Sequence, residues 1–408
     1  SLSLSLRYKM LFQVPPKKRA RADPWERDAK EESYSPDVIN YIRNYSRRHP
    51  KFYSFPENLY LDIYTKRAAL KASPAVVSLV SYSDEEEIFH SSGTVIEGDD
   101  TSGIVLTSAS LIRCPTNKNA VVDNVKVVAF LSDGKSYEGQ ILAYDLYYNI
   151  AALRIQSNAP LPIASLTHLD DSITVDPNEL CSREEKAFQL RPHSSSFNLI
   201  PGDKVIAIGR YFIKPFELMA APGEFSLDRC QDEEYDCKEL FRANCIITRC
   251  GTGGPLINRF GEVIGIITFY DTLFTPFIPI NVACKWWEHY KKNGETRRLW
   301  LGMEVTNFYA AELHIIEKIT QKFPNVFKGL IVEEVMPGSS ADSAGICPND
   351  VIVQCGGKTV RSFLEFFEVM WDKGMDPVEL IVIRESADDP LHVTMVDVAP
   401  TLDVPSPT

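Results

Sequence analysis

The sequence predicts a mostly β protein: a long domain of short strands, a smaller mixed unit after it, and a helical and disordered extension in front. Three observations predict this. Between Ala75 and about Pro279 short apolar segments recur, among them Val76 to Val80, Gly93 to Ile96, Gly103 to Leu106, Val125 to Leu131, Val205 to Ile208 and Val263 to Ile267. Turn signals punctuate them, as in Gly98-Asp99-Asp100, Ser132-Asp133-Gly134 and Pro201-Gly202-Asp203, a rhythm that belongs to an all-β sandwich or barrel. The length, 408 residues, exceeds what one core usually serves, so two or more domains are expected.

In chain order, residues 1–33 are charged, Pro-containing and without periodicity, which predicts disorder. A helical lead-in follows over 34–71. Ser35-Pro36 sets a cap and first turn ahead of Val38, Ile39, Ile42 and Tyr45, and a second stretch runs from Tyr60 to Lys71 and ends before Pro74. The β domain occupies 72–292. It is interrupted by the Ser- and charge-rich stretch 176–196, which reads as a surface insertion, and closed by a short helix over Val282 to Lys292. Polar residues 293–298 link it to the mixed unit, 299–396, and a tail covers 397–408.

Composition narrows the function. A net charge of −12 argues against general nucleic-acid binding, which needs a basic footprint. No apolar run approaches the roughly 20 residues of a membrane-spanning helix, so no membrane association is expected. Ser1 to Leu6 is too short and polar for a signal-peptide core, and the opening without Met leaves two expectations, a fragment or a start at Met10. Nine cysteines without CxxC pairs suit free thiols in a reducing compartment and predict no metal site and no cofactor; Cys230 and Cys237 flank an acidic loop at a spacing that admits a bridge.

The chemistry-bearing signal is Cys250-Gly251-Thr252-Gly253-Gly254-Pro255-Leu256, followed by Gly261-Glu-Val-Ile-Gly265. A Gly-rich turn with a central hydroxyl can set that hydroxyl beside backbone amides, as an acyl-transfer nucleophile and its oxyanion hole require. The same residues also make an ordinary β-turn with positive-φ glycines, and taken alone they leave both readings open. Upstream, in order, stand His90-Ser-Ser-Gly93-Thr-Val-Ile96, Gly103-Ile-Val-Leu-Thr107-Ser-Ala-Ser110, Asp145-Leu-Tyr-Tyr-Asn149-Ile-Ala-Ala and Pro201-Gly-Asp-Lys-Val-Ile-Ala-Ile-Gly209.

This order and spacing resembles the HtrA (Do-like) family of trypsin-like serine proteases over roughly residues 72 to 290. The resemblance implies a two-barrel chymotrypsin fold. It also implies where a triad belongs, and all three positions depart from it: Ser110 stands for the His, Asn149 for the Asp, and Thr252 for the nucleophilic Ser. Cys250 replaces an oxyanion-hole Gly two residues before Thr252, beside Gly251. Ser110 cannot act as a base near neutral pH, Asn149 has no charge to stabilise an imidazolium, and the β-methyl of Thr252 stiffens χ1 and crowds an approaching carbonyl. Cys250 lacks the backbone freedom of Gly, which predicts misaimed oxyanion donors. Triad members act as a unit, so hydrolysis is not expected. One compensation is worth stating: a simple hairpin register about Asp99-Asp100 sets His90 opposite Ala109 or Ser110 as a surrogate base, against the plainer expectation of a strand His facing solvent. The remaining histidines, including His168, His289, His314 and His392, fall at no catalytic position, and Cys250 has no paired His to make it a nucleophile.

Residues from about 299 to 396 resemble a PDZ domain in the arrangement found in HtrA proteins, on the motifs Trp300-Leu301-Gly302-Met303, Gly329-Leu-Ile-Val332, Pro337-Gly-Ser-Ser-Ala-Asp-Ser-Ala-Gly345, Pro348-Asn-Asp350 and Gly356-Gly357-Lys358. Asn349 stands where the family usually has Gly, and Asn tolerates positive φ. Such domains take extended protein C-termini along a sheet edge, with backbone amides holding the carboxylate. The resemblance puts that loop at Trp300, Leu301, Gly302 and Met303 and the other groove wall on the helix of Phe363, Phe366, Phe367 and Met370. Adjacent Phe366 and Phe367 diverge by about 100°, so at least one belongs to the core.

Lys17-Lys18-Arg19-Ala20-Arg21 in the tail reads as a nuclear-import signal, which implies an import receptor as partner and a nuclear or nucleocytoplasmic location. The expectation is a non-catalytic homologue that binds peptides through its PDZ groove and protease-like cleft. Two alternatives stand beside it: an endopeptidase using Thr252, and a subunit of homo- or hetero-oligomers with HtrA-type chains.

Overall fold

The computed structural model describes residues 61–84, 86–179, 196–212, 216–226, 237–271, 274–299, 301–374 and 376–396. The basic segment at 17–21, the first lead-in helix, Trp300, Cys230, most of the 176–196 insertion and the tail 397–408 lie outside the described residues.

The second lead-in helix is α1, Ile63–Ala72, one turn off its expected start because Asp62 caps it through the amides of Tyr64 and Thr65. Its buried face is Thr65, Ala68, Ala69 and Ala72, small enough for close docking, and Ser73–Ala75 continue it as a 3₁₀ turn.

Eight strands of the first half follow: β1 Val76–Ser83, β2 Glu86–Gly98, β3 Ser102–Ser108, β4 Arg113–Cys114, β5 Asn117–Val121, β6 Lys126–Phe130, β7 Ser136–Asp145 and β8 Ile150–Gln156. Six of them close a barrel in the order β1-β2-β3-β8-β7-β6, while β4 and β5 form a separate hairpin. Alternation drives this closure: Val77, Leu79, Val95, Val105, Leu153 and Ile155 point to one interior cluster.

After the short parallel pair β9 (His168–Asp170) and β10 (Ser196–Asn198), a second barrel is built from β11 Lys204–Arg210, β12 Leu218–Ser226, β13 Phe241–Ala243, β14 Pro255–Ile257, β15 Val263–Ile267 and β16 Thr275–Pro279. It closes in the order β11-β12-β13-β16-β15-β14. Arg210 stitches the barrels together. Its buried guanidinium donates to the carbonyls of Val76 (2.5 Å), Ser73 (2.8 Å) and Phe216 (3.1 Å), and its amide donates to Ser92 Oγ (2.8 Å).

Helix α2, Ile280–Asn293, ends on Gly294 at φ 75, a left-handed C-terminal stop. The C-terminal unit comprises β17 Met303–Asn307, α3 Leu313–Lys322, β18 Leu330–Val335, α4 Ser340–Ser343, β19 Val351–Cys355, β20 Lys358–Thr359, α5 Phe363–Lys373, β21 Val378–Ile383 and β22 Leu391–Met395. Its sheet runs β17-β18-β19-β21-β22, which leaves β17 at one edge. Asn349 takes φ 70, the left-handed conformation its position asks for. One continuous apolar cluster runs from the second barrel through Trp286 and Trp287 of α2 into Met303, Val305, Phe363 and Phe367. The architecture is therefore two barrels and a PDZ unit packed onto the second of them. Among the described residues no helix is long and apolar enough to cross a membrane.

Candidate active-site cleft

Ser110, Asn149 and Thr252, the positions the resemblance assigns to a triad, sit at the ends of strands where the barrels meet. Ser108, the last residue of β3, caps a 3₁₀ turn over Ala109–Leu111 by accepting from the Ser110 amide, which fixes Ser110 on the turn. On the facing strand, Asp145 Oδ1 accepts from the amides of Tyr147 (2.8 Å) and Tyr148 (2.9 Å), and the chain then reverses through Asn149 at φ 50 into β8. The Ala109 amide donates to the Asn149 carbonyl (3.1 Å), locking the two turns together.

Asn149 is fully buried and every polar atom of its side chain has a partner. Nδ2 donates to Thr268 O (2.7 Å), Ser110 Oγ (2.8 Å) and Ser108 Oγ (3.1 Å), so three acceptors share two hydrogens. Oδ1 accepts from Arg113 Nη2 (3.0 Å), which also donates to Leu146 O (2.6 Å). Thr268 O can only accept, which settles the amide's orientation. Burial pulls the Arg113 guanidinium below its usual range, with Asp145 partly offsetting the effect. Where the resemblance implied an imidazole between a carboxylate and a hydroxyl, the molecule holds an amide bonded directly to a serine hydroxyl and backed by a cation.

Thr252 follows a 3₁₀ turn over Arg249–Gly251. Its own amide donates back to Arg249 O (3.1 Å), and the Gly251 amide to Thr248 O (2.8 Å). An oxyanion hole needs amides aimed outward at one point, and the Thr252 amide is turned inward instead. Cys250 was expected to misaim the oxyanion donors because it lacks the backbone freedom of Gly, which would matter if position 250 took a positive φ. It takes none: the segment has wound into an ordinary 3₁₀ conformation that any residue adopts. The Cys250 thiol lies 2.6 Å from Thr248 Oγ1, and its carbonyl accepts from Ser92 Oγ (2.6 Å).

Thr252 is 1% exposed, and among the described residues its hydroxyl has no hydrogen-bond partner. Its carbonyl accepts from the Ser92 amide (2.7 Å), and Gly253 presses against β2 and β3 so closely that a Cβ there would lie 2.3 Å from Ser92 O and 2.9 Å from the Ser108 amide. Ser110 and Asn149 are thus in direct contact, and the Thr268 carbonyl accepts from both Ser108 Oγ (2.6 Å) and Asn149 (2.7 Å), while among the described residues no bond joins the Thr252 side chain to either.

His90 departs from both expectations. It is 7% exposed rather than facing solvent, because it pairs with Val80 of β1 and its ring lies over Phe212 at 4.5 Å. The β2–β3 register does point from His90 toward Ser110, but pairing stops at Gly93 and Thr107 because β3 bends into the 3₁₀ turn. His90 Nε2 meets Glu87 Oε2 at 3.3 Å, and Nδ1 is buried without a partner among the described residues. No bond joins His90 to Ser110 or Thr252 among the described residues. Sequence reading missed Arg113, Ser92 and Thr268. Arg113 stands three residues after Ser110 and Ser92 lies inside a quoted motif, but nothing local announces that Thr268 offers its carbonyl across the barrels.

In the PDZ unit, the Gly302 carbonyl accepts from the Met336 amide (2.9 Å) and Ser339 Oγ (2.9 Å), and Gly302 takes φ 67 with Ser339 packed where a Cβ would stand. Leu301 is half-buried and Met303 opens the edge strand β17. Phe366, expected on the groove wall, is fully buried in the core, as are Phe367 and Met370, because α5 is covered on two faces, by the PDZ sheet and by α2. Phe363, at the N-terminal end of α5, contacts the ring of Phe241 from β13 at 6.1 Å. Cys237 carries a free, buried thiol, and no group of three or more His, Cys, Asp or Glu suited to a metal ion occurs among the described residues.

Residues 91–266 match the model of the trypsin-like peptidase domain, and residues 331–384 match that of the PDZ domain. The chain is similar to the putative protease Do-like 14 of Arabidopsis thaliana, 31% identical over 358 residues, covering 82% of this chain and 72% of the relative. It is also similar to serine protease HTRA1 of Xenopus laevis, 28% identical over 342 residues, covering 79% of this chain and 65% of the relative. Serine protease HTRA4 of Mus musculus is 27% identical over 340 residues, covering 79% of this chain and 62% of the relative.

Proposed function

The chain belongs to the HtrA (Do-like) family of trypsin-like peptidases that carry a PDZ domain, and from that premise we propose that it is a non-hydrolytic member that binds polypeptides. The observation that carries the reading is the Asn149 amide bonded to Ser110 at 2.8 Å in the place of a base and its orienting acid. A hydroxyl nucleophile needs a base within hydrogen-bond reach and outward amides to hold the developing oxyanion. Thr252 has neither: its hydroxyl is sealed without a partner among the described residues, and its amide is engaged with Arg249. Loss of a triad nucleophile or base alone costs roughly 10⁶ in rate, and here all three positions differ. The surviving capacity is the PDZ unit, whose edge strand β17 and helix α5 have the form of a groove for an extended C-terminus.

The test is cleavage of unfolded casein by the purified chain beside Thr252→Ala. Equal inertness supports the reading. Cleavage by the unmutated chain alone would defeat it, and His90, held by Glu87, would be the first base to remove. Assembly with itself or with HtrA-type chains is part of the proposal, read out as mass in solution. So is nuclear import through Lys17, Lys18, Arg19 and Arg21, for which replacing the four by alanine should leave a fluorescently tagged chain in the cytoplasm.

A further inference from the structure

Helix α1 is apolar on two opposite faces. Its inner face, Thr65, Ala68, Ala69 and Ala72, is buried against the second barrel. The turn between β14 and β15 fixes it there: Phe260 O accepts from Lys71 Nζ (2.8 Å), and Gly261, at φ 73, comes so close that a Cβ would lie 2.8 Å from the Ala68 carbonyl. The outer face carries Ile63, Tyr64 and Leu70, each more than half exposed. Ile63, Arg67 and Leu70 are spaced four and three residues apart, which gathers them into one stripe about 60° wide, opposite the alanines. A helix docked by one face ordinarily turns polar residues outward, so two large aliphatic side chains aligned on the outside of a fixed helix mark an interaction surface. The chain just upstream repeats the same spacing. Val38, Ile42 and Tyr45 stand four and three apart, with Arg43 and Arg47 on the other side of a helix drawn through them. Residues 35–48 lie outside the described residues.

We propose that residues 35–48 form a helix that packs antiparallel on the Ile63–Leu70 stripe of their own chain. Residues 49–60 connect the two, and Pro50 and Pro56 stop a helix there and let the chain reverse. Fully extended, that connection spans about 40 Å, well over the roughly 15 Å length of α1, so the segment reaches back along it. Antiparallel register sets Tyr45 beside Ile63 and Val38 beside Leu70. Arg67 then lays its aliphatic stem along Ile42 and keeps its charge in water. A second copy of α1 fits the stripe less well. Two such helices related by a twofold axis bring Arg67 against Arg67, with Lys66 adjacent, and the like charges repel.

The test is limited tryptic digestion of the full chain, read by mass spectrometry, with cleavage after Arg21 as the internal clock and cleavage after Arg43 as the readout. A docked helix resists the protease, so the cut after Arg43 should be at least tenfold slower than the cut after Arg21. Ile63→Asp/Leu70→Asp, at two exposed positions, should bring the two rates together. Ile42→Asp should do the same from the side of the segment without touching the barrels, and it decides alone if the double variant does not fold. Equal rates in the unmutated chain overturn the docking. A slow cut after Arg43 that survives in both variants overturns the assignment to this stripe. Protection that fades on hundredfold dilution, or a fall in solution mass on Ile63→Asp/Leu70→Asp, makes a second copy the occupant and overturns the proposal.

Discussion

At the scale of single residues, Ser110, Asn149 and the Thr268 carbonyl form a clasp between the barrels. Asn149 donates to the Thr268 carbonyl from the second barrel while its oxygen accepts from Arg113, and exchange for aspartate keeps the second bond but loses the first. A carboxylate there would set oxygen against Thr268 O in a buried site, leaving both without the shared hydrogen. Asn149→Asp is therefore expected to destabilise the chain by about 1–3 kcal/mol, measured by urea denaturation. The same geometry makes reversion insufficient for catalysis. In Ser110→His/Asn149→Asp/Thr252→Ser the new aspartate meets Arg113 before it can orient an imidazole, and the amide of residue 252 still points at Arg249. The triple variant is expected to show no casein cleavage and no labelling by a fluorophosphonate. Labelling at residue 252 would show that the turn rewinds on its own.

At the scale of elements, ends matter more than interiors. α5 begins on Ser362, whose hydroxyl accepts from the Glu365 amide and which is itself fully buried beside Asp171. Ser362→Ala should cost about 1–2 kcal/mol, at the upper end for an N-cap because the residue also serves the Asp171 carboxylate. Thermal unfolding of the full chain measures it. The strands at 76–80, 205–208 and 263–267 were legible because short apolar runs bounded by turn residues need only local sequence. The end of β3 was not. His90 looked opposed to Ser110 by counting alone, whereas the chain leaves the sheet after Ser108 to form a capped turn.

At the scale of the whole molecule, the PDZ unit is joined to the second barrel by a shared apolar cluster and by a buried carboxylate. Burial pushes Asp171 from 3.8 up to about 6, the bonds from Ser362, Asn307 and Leu364 only partly opposing it. Tyr309, its titratable neighbour, is pushed up by burial and stays neutral. The folded chain thus holds this proton more tightly than the unfolded chain does. The stability Asp171 contributes is fully present below about 3.8, is lost as pH rises toward 6, and is level above that. The loss is on the order of 3 kcal/mol, and Asp171→Asn should flatten the fall between pH 4 and 6 in melting temperature. Strand rhythm in the sequence by itself determined a β domain followed by a mixed unit, and the order of the motifs, through the family they resemble, implied two barrels, a PDZ unit and the assignment of Ser110, Asn149 and Thr252 to triad positions. Those signals are local, carried by alternation, turn residues and side-chain identity. Only the tertiary structure decided that Asn149 bonds to Ser110, that Arg113 backs it, that the Thr252 amide turns inward, and that Asp171 accepts from Asn307 of the PDZ unit. Each of these depends on bringing together residues far apart in the chain, as Asn149 and Thr268 are, and on which of several possible acceptors a buried donor meets when the barrels close.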